Sequence, residues 1–569
     1  MLRVLLLLVF VPVAALLTWL SLGPRGERAD FVVASDALRT IDPHRVSWLD
    51  EIQVAAALFE GLTRLHPETM QPEPGVAATW CVSDDALRFT FHLRENARWS
   101  NGDGVTARDF RFGWLRVLDP KVEAQYASLL FVIDGAEAYY RSRLDDDSRD
   151  DRPAESVGIE VFGDHTLRVQ LAGPCSYFLD LTSFPTLAPA HRPTLERWAY
   201  RAGVVRRATR HLWTRPANIV CNGAFVLTQW DFKRSLWLRR NTHYWDRASI
   251  PLDSLEIYIA GDPNAALVAY ETGRVDLVRG LAKPVARELR KRQLKGERED
   301  FHLGDRFATY FFRVNCKRPP LDNADLRKAL ALAIDKDALA RRVLGLGETP
   351  ADSYVPRGAL ELMPRPAPDG STIFYDPPAG LGAGLPYAAR VKRAREFLHA
   401  SGYDRIADTR PIELAYASHP PIQKRIAEAV QSMWESALGL RVELRVMERK
   451  VLSTRIRNLD YDVVRSDWYG DYLDPGTFLD MFTSGSGQNR TGWVNVEYDQ
   501  LIAAAAREAD NAKRFALFRA AERILCEEEL PIIPLFFKRG NYLLNPRFGG
   551  VRDNVRDILP IHRVRPAVE

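Results

Sequence analysis

The chain has 569 residues, of which 46% are hydrophobic and 27% are charged. A chain of this length buries more than one hydrophobic core, so we expect two or three globular domains. Its net charge of +4 is a small excess of 78 basic over 74 acidic side chains, which argues against a nucleic-acid-binding protein.

The N-terminus predicts export. Arg3 precedes an apolar run from Val4 to Leu22, about as long as a bilayer is thick, and no later cysteine is placed to carry a lipid. We predict that residues 1–29 are a signal peptide or an N-terminal membrane anchor. The rest of the chain is then expected in the periplasmic space of the cell envelope, either soluble after signal cleavage or tethered to the inner membrane by residues 4–22.

The first half of the chain predicts short strands and helices. Phe31–Ala34 is an apolar strand, Leu49–Leu62 has helical periodicity, and 83–94 alternates as a half-buried hairpin does. Thr106 followed three residues later by Asp109 indicates a capped helix start. The hairpin and the capped helix start, both within Pro74–Phe110, are expected to be structural.

The second half alternates helices and strands. Ala308–Asn315 is an apolar strand, and Ala324–Val343 carries apolar side chains on one face at helical spacing. Helix, strand, helix and strand are then predicted at 387–400, 412–416, 421–438 and 441–446. This order indicates a parallel α/β lobe, whose cleft lies beyond the carboxyl ends of its strands.

The stretch Arg465–Pro475 concentrates acids and aromatics where a predicted strand runs into a loop. Asp471 can neutralise a cation, and Trp468 and Tyr469 can shield it from water. Gly470 lets a ligand approach the backbone closely. This composition favours a recognition site, while a solvated loop whose aromatics face the core is the structural alternative.

Several motifs resemble one family. Trp468–Tyr472 (Trp-Tyr-Gly-Asp-Tyr) is similar to the Trp-x-x-Asp-Tyr ligand motif of bacterial oligopeptide-binding proteins, the family 5 extracellular solute-binding proteins of ABC importers. Ile41–His44, Leu58–Leu62 and Pro74–Phe110 resemble further blocks of that family in the same order. The resemblance extends from about Phe31 to the C-terminus.

The resemblance implies an α/β, two-lobed periplasmic-binding-protein-like fold of type II with an extra subdomain. Strands crossing between the lobes at about Ala308 and Phe537 would form the hinge. The implied organisation is lobe I from 30–64, 173–308 and 537–569, an extra subdomain from 65–172, and lobe II from 309–536.

Seven ligand-binding residues are implied by the same resemblance: Asp471, Trp468, Tyr469, Asp467, Arg465, Tyr126 and Glu51. Asp471 would pair with the free amino terminus of a peptide, and Trp468 would help line a side-chain pocket. Asp467 and Tyr469 match positions that offer backbone contacts, although Asp467 stands where the family commonly has glycine. Arg465 matches an arginine that can meet the ligand carboxylate.

Two of the seven residues lie far from this stretch. Tyr126 matches a tyrosine that contacts the first residue of the peptide, and Glu51 matches a glutamate in the binding cleft. A core tyrosine on a helical stripe and a surface glutamate at a helix start are the structural alternatives.

The five cysteines, an odd number, leave at least one unpaired, and they show no metal-ligand spacing. Some family members carry a disulfide whose matching positions here are Ala308 and Tyr469, so that bridge is absent. No cofactor and no metal are expected.

The predicted function is that of a solute-binding receptor that catalyses no reaction. It would bind short peptides with a free N-terminus, extended in the cleft between the lobes, and deliver them to ABC permease subunits with their ATPases. Nucleic acid is not an expected partner, and the protein is expected to be a monomer. The alternatives are another solute (a nickel complex, an oligosaccharide or an amino-sugar) and an anchored peptide sensor without transport. An enzyme is not expected, because no hydrolase or zinc-protease motif is present.

Overall fold

The computed structural model describes residues 28–144, 151–201, 204–357, 364–366, 370–403, 410–551 and 553–567. The predicted export segment lies almost entirely outside these residues. Within the described ranges, no helix is both long enough and apolar enough to cross a membrane.

Strands form the framework of the molecule. The first thirteen, in chain order, are β1 (Phe31–Ser35), β2 (Thr63–Leu65), β3 (Pro72–Pro74), β4 (Ala77–Val82), β5 (Arg88–Leu93), β6 (Ile159–Phe162), β7 (Thr166–Gln170), β8 (Tyr200–Arg201), β9 (Val204–Val205), β10 (Phe225–Asp231), β11 (Ser235–Arg240), β12 (Ser254–Ile259) and β13 (Leu277–Arg279). The remaining ten are β14 (Phe301–Val314), β15 (Thr349–Pro350), β16 (Arg365–Pro366), β17 (Thr372–Ile373), β18 (Ile412–Ala417), β19 (Val442–Met447), β20 (Val463–Tyr469), β21 (Ile532–Leu544), β22 (Phe548–Gly549) and β23 (Arg565–Pro566).

Helices cover the sheets. The α-helices are Leu49–Leu58, Ala107–Val117, Ala136–Arg141, Phe178–Leu181, Arg192–Trp198, Pro263–Glu271, Lys283–Leu294, Ala324–Leu332, Lys336–Ala338, Tyr387–Ala400, Ile422–Leu438, Arg449–Arg457, Gly476–Leu479, Val496–Ala505 and Asn511–Arg523. Two π-helical turns, Leu339–Leu344 and Ile524–Glu528, continue the preceding helices.

One sheet of eleven strands runs through both lobes. Its order is β10-β11-β12-β1-β13-β21-β14-β20-β18-β19, and β15 adds to the edge of β21. β1 pairs in parallel with β12 and β13 in lobe I, and β18 pairs in parallel with β19 and β20 in lobe II. The predicted α/β two-lobed fold is therefore present, with the long antiparallel strands β14 and β21 shared between the lobes.

The hinge lies where this shared ladder is interrupted. β14 and β21 pair from Phe301 to Asp305 and again from Thr309 onward, so three residues of β14 face one residue of β21 between these segments. A bulge of this kind bends the strands and breaks the ladder locally. The interruption coincides with the predicted crossing at Ala308 and Phe537.

The extra subdomain is built on the four-stranded sheet β4-β5-β7-β6. The predicted hairpin is β4–β5, and Thr106 and Asp109 form the predicted capping box at the start of Ala107–Val117. Phe89 and Phe91 pack on Phe178 and belong to the same buried cluster as the core of lobe I. The subdomain thus shares its core with lobe I, and the domain boundaries themselves stay a prediction.

In lobe II, the single helix predicted over Ala324–Val343 is wrong. The helix ends at Leu332, and a new one begins after Asp335, whose carboxylate accepts a hydrogen bond from the Ala338 amide. The side chain of Asp335 accepts a hydrogen bond from a backbone amide, as helix-capping residues do, and so starts a new helix. The apolar periodicity of the sequence continues on both sides of Asp335 and does not reveal this break.

Candidate functional site

Strand β20 carries most of the predicted site residues. The sequence interpretation placed Arg465–Tyr469 in a loop, and this is wrong because the strand continues through Tyr469. β14 pairs with its whole length, with Ala308 opposite Tyr469. These are the two positions of the family disulfide, and all five cysteines of the chain are free.

One edge of β20 has a partner strand, β18, only at the first two residues of β20, Val463 and Val464. The amide of Gly470 donates to the carbonyl of Phe307, so the hydrogen-bonded pairs with β14 fall on the even-numbered residues of β20. In an antiparallel ladder the alternate residues turn their N–H and C=O groups to the other edge. Asp467 and Tyr469 are such residues, and β18 on that side reaches only Val463 and Val464. The backbone of Asp467 and Tyr469 therefore faces an edge that β18 leaves uncovered.

Asp471 follows this open edge directly. Its amide donates to the hydroxyl of Thr477 (3.0 Å), which fixes the turn after Gly470. Burial raises the pKa of the Asp471 carboxyl to about 6, and the charge of Arg556 offsets only part of this effect. No hydrogen bond from a described residue reaches the carboxylate oxygens, so Asp471 is a half-buried acid without a direct partner in the described part of the chain.

The positive charge next to Asp471, that of Arg556, is already neutralised by another carboxylate. Arg556 donates to the Asp471 carbonyl (2.6 Å) and forms an ion pair with Asp180 (2.5 Å). Because Asp180 and Arg556 neutralise one another, the negative charge of the ionised Asp471 carboxylate is not compensated by this ion pair. A ligand ammonium is the group that such a site stabilises.

Tyr126 lies within electrostatic range of this acid. Its ring packs edge-on against Phe184, with 5.1 Å between the ring centroids. Burial raises the pKa of the Tyr126 hydroxyl, and the charge of Asp471 raises it further, which places the two groups within electrostatic range of each other. Asp471 and Tyr126, which lie 345 positions apart and are both implied by the family resemblance, are thus within electrostatic range of each other in the structure.

The two lobes meet next to Asp471. The rings of Tyr177 and Tyr472 stack with centroids 3.9 Å apart, and the amide of Leu473 donates to Asp180. Both contacts join the segment after Asp471 to the segment after β7. The position of Asp471 is therefore fixed from both lobes.

A second polar group lies along one face of β20. Arg465, Asp467 and Tyr469 share this face, since side chains alternate along a strand. Asp467 forms ion pairs with Lys538 of β21 (2.5 Å) and with Arg465 (3.1 Å). Burial alone would raise the pKa of Asp467, but Lys538 and Arg465 hold it well below its usual range. The Lys538 ammonium also lies over the Tyr469 ring, 4.3 Å from its centroid.

Trp468 points to the opposite face of the strand. Its indole N–H donates to the carbonyl of Thr477 (2.8 Å), and its ring packs against the buried cluster that contains Phe307 and Phe478. The strand alternation separates it from Asp467 and Tyr469. Its predicted place in a side-chain pocket stays a prediction, and its observed contacts are structural.

Glu51 lies at the start of the helix Leu49–Leu58. Its oxygens accept hydrogen bonds from Arg39 and from the amides of Ser47 and Trp48. Both oxygens are thus engaged within lobe I. The structure assigns Glu51 a capping role, and its predicted ligand contact remains untested.

Two residues of this site were not predicted from the sequence. Lys538 and Arg556 come from segments that follow lobe II in the chain, and each contacts the β20 region only through the fold. No local motif surrounds either residue. Only the register of β21 on β14, which a sequence does not specify, could have indicated Lys538.

Comparison with known families agrees with this architecture. A model of the bacterial extracellular solute-binding proteins, family 5 (middle region), matches residues 71–490. The chain belongs to this family. The prediction drawn from Trp468–Tyr472 and the other motifs is thereby confirmed.

Relatives of this family 5 protein align over nearly all of its length. The dipeptide-binding protein DppE of Bacillus subtilis (strain 168) is 33% identical over 531 residues, which cover 92% of this chain and 90% of that protein. The structure of the murein tripeptide-binding protein MppA of Escherichia coli superposes with a TM-score of 0.77 at 28% identity, covering 96% of this chain and 99% of that one. OppA of Haemophilus influenzae, in a complex with RPPGFSPFR, superposes with a TM-score of 0.74 at 28% identity and covers 95% and 99%.

Proposed function

We propose that this family 5 protein is the receptor of an ABC importer that binds short peptides through their free amino terminus. The observation that carries the proposal is Asp471, a half-buried carboxylate without a direct partner among the described residues, placed at the end of an open strand edge between two lobes. The family relatives described above are named for dipeptides and murein tripeptides, or were solved with a peptide.

The open edge supports an extended ligand. A peptide main chain can add to the uncovered side of β20 and bond to the backbone of Asp467 and Tyr469. Such bonds do not depend on the ligand's side chains, so they permit many sequences. Asp471 would then fix the register, because only one end of the peptide carries an ammonium.

Closure of the lobes would strengthen this pairing. Tyr126 belongs to the extra subdomain, which shares its core with lobe I, while Asp471 follows β20 of lobe II. A ligand ammonium between them would be removed from water when the lobes meet, and electrostatic attraction is stronger there than in solvent. Trp468 and Arg465 would contribute to the pocket walls and to recognition of the far end.

The cellular setting of the proposal is the cell envelope. MppA is named a periplasmic protein, and a periplasmic location for this chain fits the apolar run at Val4–Leu22. Delivery to a membrane permease with its ATPase is the corresponding transport step. Whether residues 4–22 tether the protein can be tested by sequencing the N-terminus of the mature chain: a new N-terminus near Pro24 would contradict a tether.

Calorimetric titration tests the binding itself. Carried-over ligand is first removed by partial unfolding and refolding, and the protein is titrated with a pool of short peptides and with the same pool N-acetylated. We expect heat only from the free-amine pool. Binding of both pools would contradict the role of Asp471, and binding of neither would contradict a peptide receptor.

A further inference from the structure

A concentration of positive charge surrounds the far end of the open edge. Six basic side chains, which we call the distal cation group, are linked there by ion pairs and short-range electrostatics: Lys283, Arg287, Arg425, Arg449, Arg465 and Lys538. Two carboxylates, Asp467 and Glu348, are paired with members of this group. Six positive and two negative charges leave an excess of four, as large as the net charge of the whole chain.

In lobe II the group is centred on Asp467. Lys538 and Arg465 contact its carboxylate, and Arg449 lies within electrostatic range of it. The side chains of Asp467, Lys538 and Arg465 are between 20% and 24% exposed, so their charges are only partly solvated. One carboxylate thus faces three cations.

Lobe I contributes the helix Lys283–Leu294. Lys283 forms an ion pair with Glu348. Burial lowers the pKa of Lys283, Glu348 opposes this, and the like charges of Lys538 and Arg287 lower it further. The group therefore spans both lobes, because the Lys283–Glu348 and Lys538–Asp467 ion pairs each join a lobe I cation to a lobe II carboxylate.

Like charges also approach one another across the gap. Burial lowers the pKa of Arg287, and the charge of Arg425 on the lobe II helix Ile422–Leu438 lowers it further. The Arg287 guanidinium donates through Nε to the carbonyl of Leu344 (2.7 Å). The charge of Glu348 offsets part of the repulsion between Arg287 and Arg425, and a ligand anion between these two side chains would offset more of it.

Two buried N–H groups of this group lack an acceptor among the described residues. They are Nε of Arg465 and Nη2 of Arg287, one from each lobe. Buried donors without a partner are uncommon, because each loses its hydrogen bonds to water. Together with the excess of positive charge, they indicate a place for acceptor oxygens that a ligand supplies.

We infer that the distal cation group selects short peptides with an acidic C-terminal end, which carry both a side-chain carboxylate and the terminal carboxylate. This inference rests on the proposed function, since it takes Asp471 as the anchor for the amine. It assigns Lys538, Arg287 and Arg425 to ligand specificity and adds a second, negatively charged determinant to the free ammonium.

The spacing along β20 agrees with a ligand of this kind. Asp471 lies four positions after Asp467, and because the chain turns after Gly470 the two residues are at most roughly 13 Å apart. A peptide anchored at Asp471 and paired with the open edge brings its third or fourth residue to Asp467 and Lys538. A tripeptide or tetrapeptide thus reaches from the acid at one end to the cations at the other.

The charge of the ligand would also be coupled to closure. An anionic end placed between Arg287 and Arg425 replaces repulsion across the gap with attraction to both lobes. A ligand shifts a conformational equilibrium by the difference in its affinity for the two states. Acidic peptides would accordingly favour the closed form more than neutral peptides of the same length.

Three tripeptides with free amino termini test the inference on the intact protein by calorimetry: Ala-Ala-Glu, Ala-Ala-Ala and Ala-Ala-Lys. We expect Ala-Ala-Glu to bind about tenfold more tightly than Ala-Ala-Ala, and Ala-Ala-Lys to bind more weakly than both. The differences should shrink in 0.5 M salt, roughly as exposed charges are screened.

Arg425→Gln provides the variant, because Arg425 is exposed and its loss removes charge without removing a buried contact. We expect the preference for Ala-Ala-Glu over Ala-Ala-Ala to fall about threefold. The matched control is Lys424→Gln on the same helix, whose ammonium lies 3.6 Å from Glu428 instead, and it should keep the wild-type preference.

The outcomes separate the two claims. Equal affinity for the three peptides, or tightest binding of Ala-Ala-Lys, overturns the inference and leaves the amine-anchored receptor standing. Binding of none of the three overturns the proposed function and the inference with it. An equal loss of preference in Arg425→Gln and Lys424→Gln overturns the assignment to Arg425.

Discussion

Replacing Asp471 by asparagine should stabilise the ligand-free protein while it weakens ligand binding. The substitution keeps the shape of the side chain and removes only its charge. Asp471 is a half-buried acid whose oxygens receive no hydrogen bond from a described residue, so its ionised form has lost part of its water and gains only the more distant charge of Arg556. Such a residue lowers the free energy of unfolding of the ligand-free protein, and a bound ligand ammonium would remove this cost.

The size of both effects follows from the pKa of Asp471, which burial raises from 3.8 to about 6. Such a rise costs the ionised form roughly 3 kcal/mol, and we expect about 1 to 3 kcal/mol of added stability in Asp471→Asn at pH 7.5. The folded-state pKa lies above the unfolded one, so the stability of the wild type falls as pH rises from about 4 to 6. At pH 4 the two proteins should therefore be nearly equal in stability.

Ligand binding should change in the opposite direction. Leaving a desolvated ammonium without its counter-charge costs about 3 to 5 kcal/mol, which is roughly two to four decades in affinity. Calorimetry with a free-amine tripeptide measures this loss. The same variant should thus unfold at higher urea concentration and bind far more weakly.

Asp467→Asn is the matched control on the same strand. Lys538 and Arg465 hold the pKa of Asp467 below its usual range, so removing this charge should destabilise the protein, by about 1 to 3 kcal/mol at pH 7.5. Urea unfolding at pH 7.5 and pH 4 distinguishes the two sites. If Asp471→Asn destabilises the ligand-free protein, or leaves affinity unchanged in a folded protein, the reasoning about Asp471 is refuted.

Three further predictions concern the same region. Affinity for a neutral free-amine peptide should fall about tenfold between pH 7.5 and pH 5 as Asp471 becomes protonated, and this dependence should be absent in Asp471→Asn; a flat wild-type profile would contradict it. Gly470→Ala places a Cβ 2.3 Å from a buried phenylalanine ring and should lower the free energy of unfolding by about 1 to 3 kcal/mol, whereas Gly485→Ala, with nothing within 4 Å, should not. Asp474→Ala leaves the buried guanidinium of Arg514 unpaired and should cost about 3 to 5 kcal/mol in urea unfolding; a loss below 1 kcal/mol would show that water solvates Arg514.

Local chemistry accounts for the parts of the fold that the sequence predicts well. The capping box of Thr106 and Asp109 and the β4–β5 hairpin depend on neighbours within a few residues, and both are present. The helix over Ala324–Val343 fails for a local reason too, since Asp335 begins a new helix within a run of suitable periodicity. Periodicity alone does not show where one helix stops and another begins.

The site is less predictable because its chemistry is assembled from distant segments. Asp471 and Tyr126 were expected from motifs, but their mutual approach follows only from the contact between lobes. The end of β20 at Tyr469 was missed because polar and aromatic residues there resemble a loop, while their strand conformation is imposed by β14. Lys538 lies 71 positions from Asp467, and nothing near it in the sequence indicates the ion pair.

The position of β21 between β13 and β14 has a consequence for how the protein is made. This strand, Ile532–Leu544, follows all the other strands of the main sheet in the chain, yet it joins the two halves of that sheet. Neither half can complete its ladder until Ile532–Leu544 has been synthesised, and contacts between such distant segments slow folding. The main sheet is therefore expected to close late, after the strands on either side of β21 are already available.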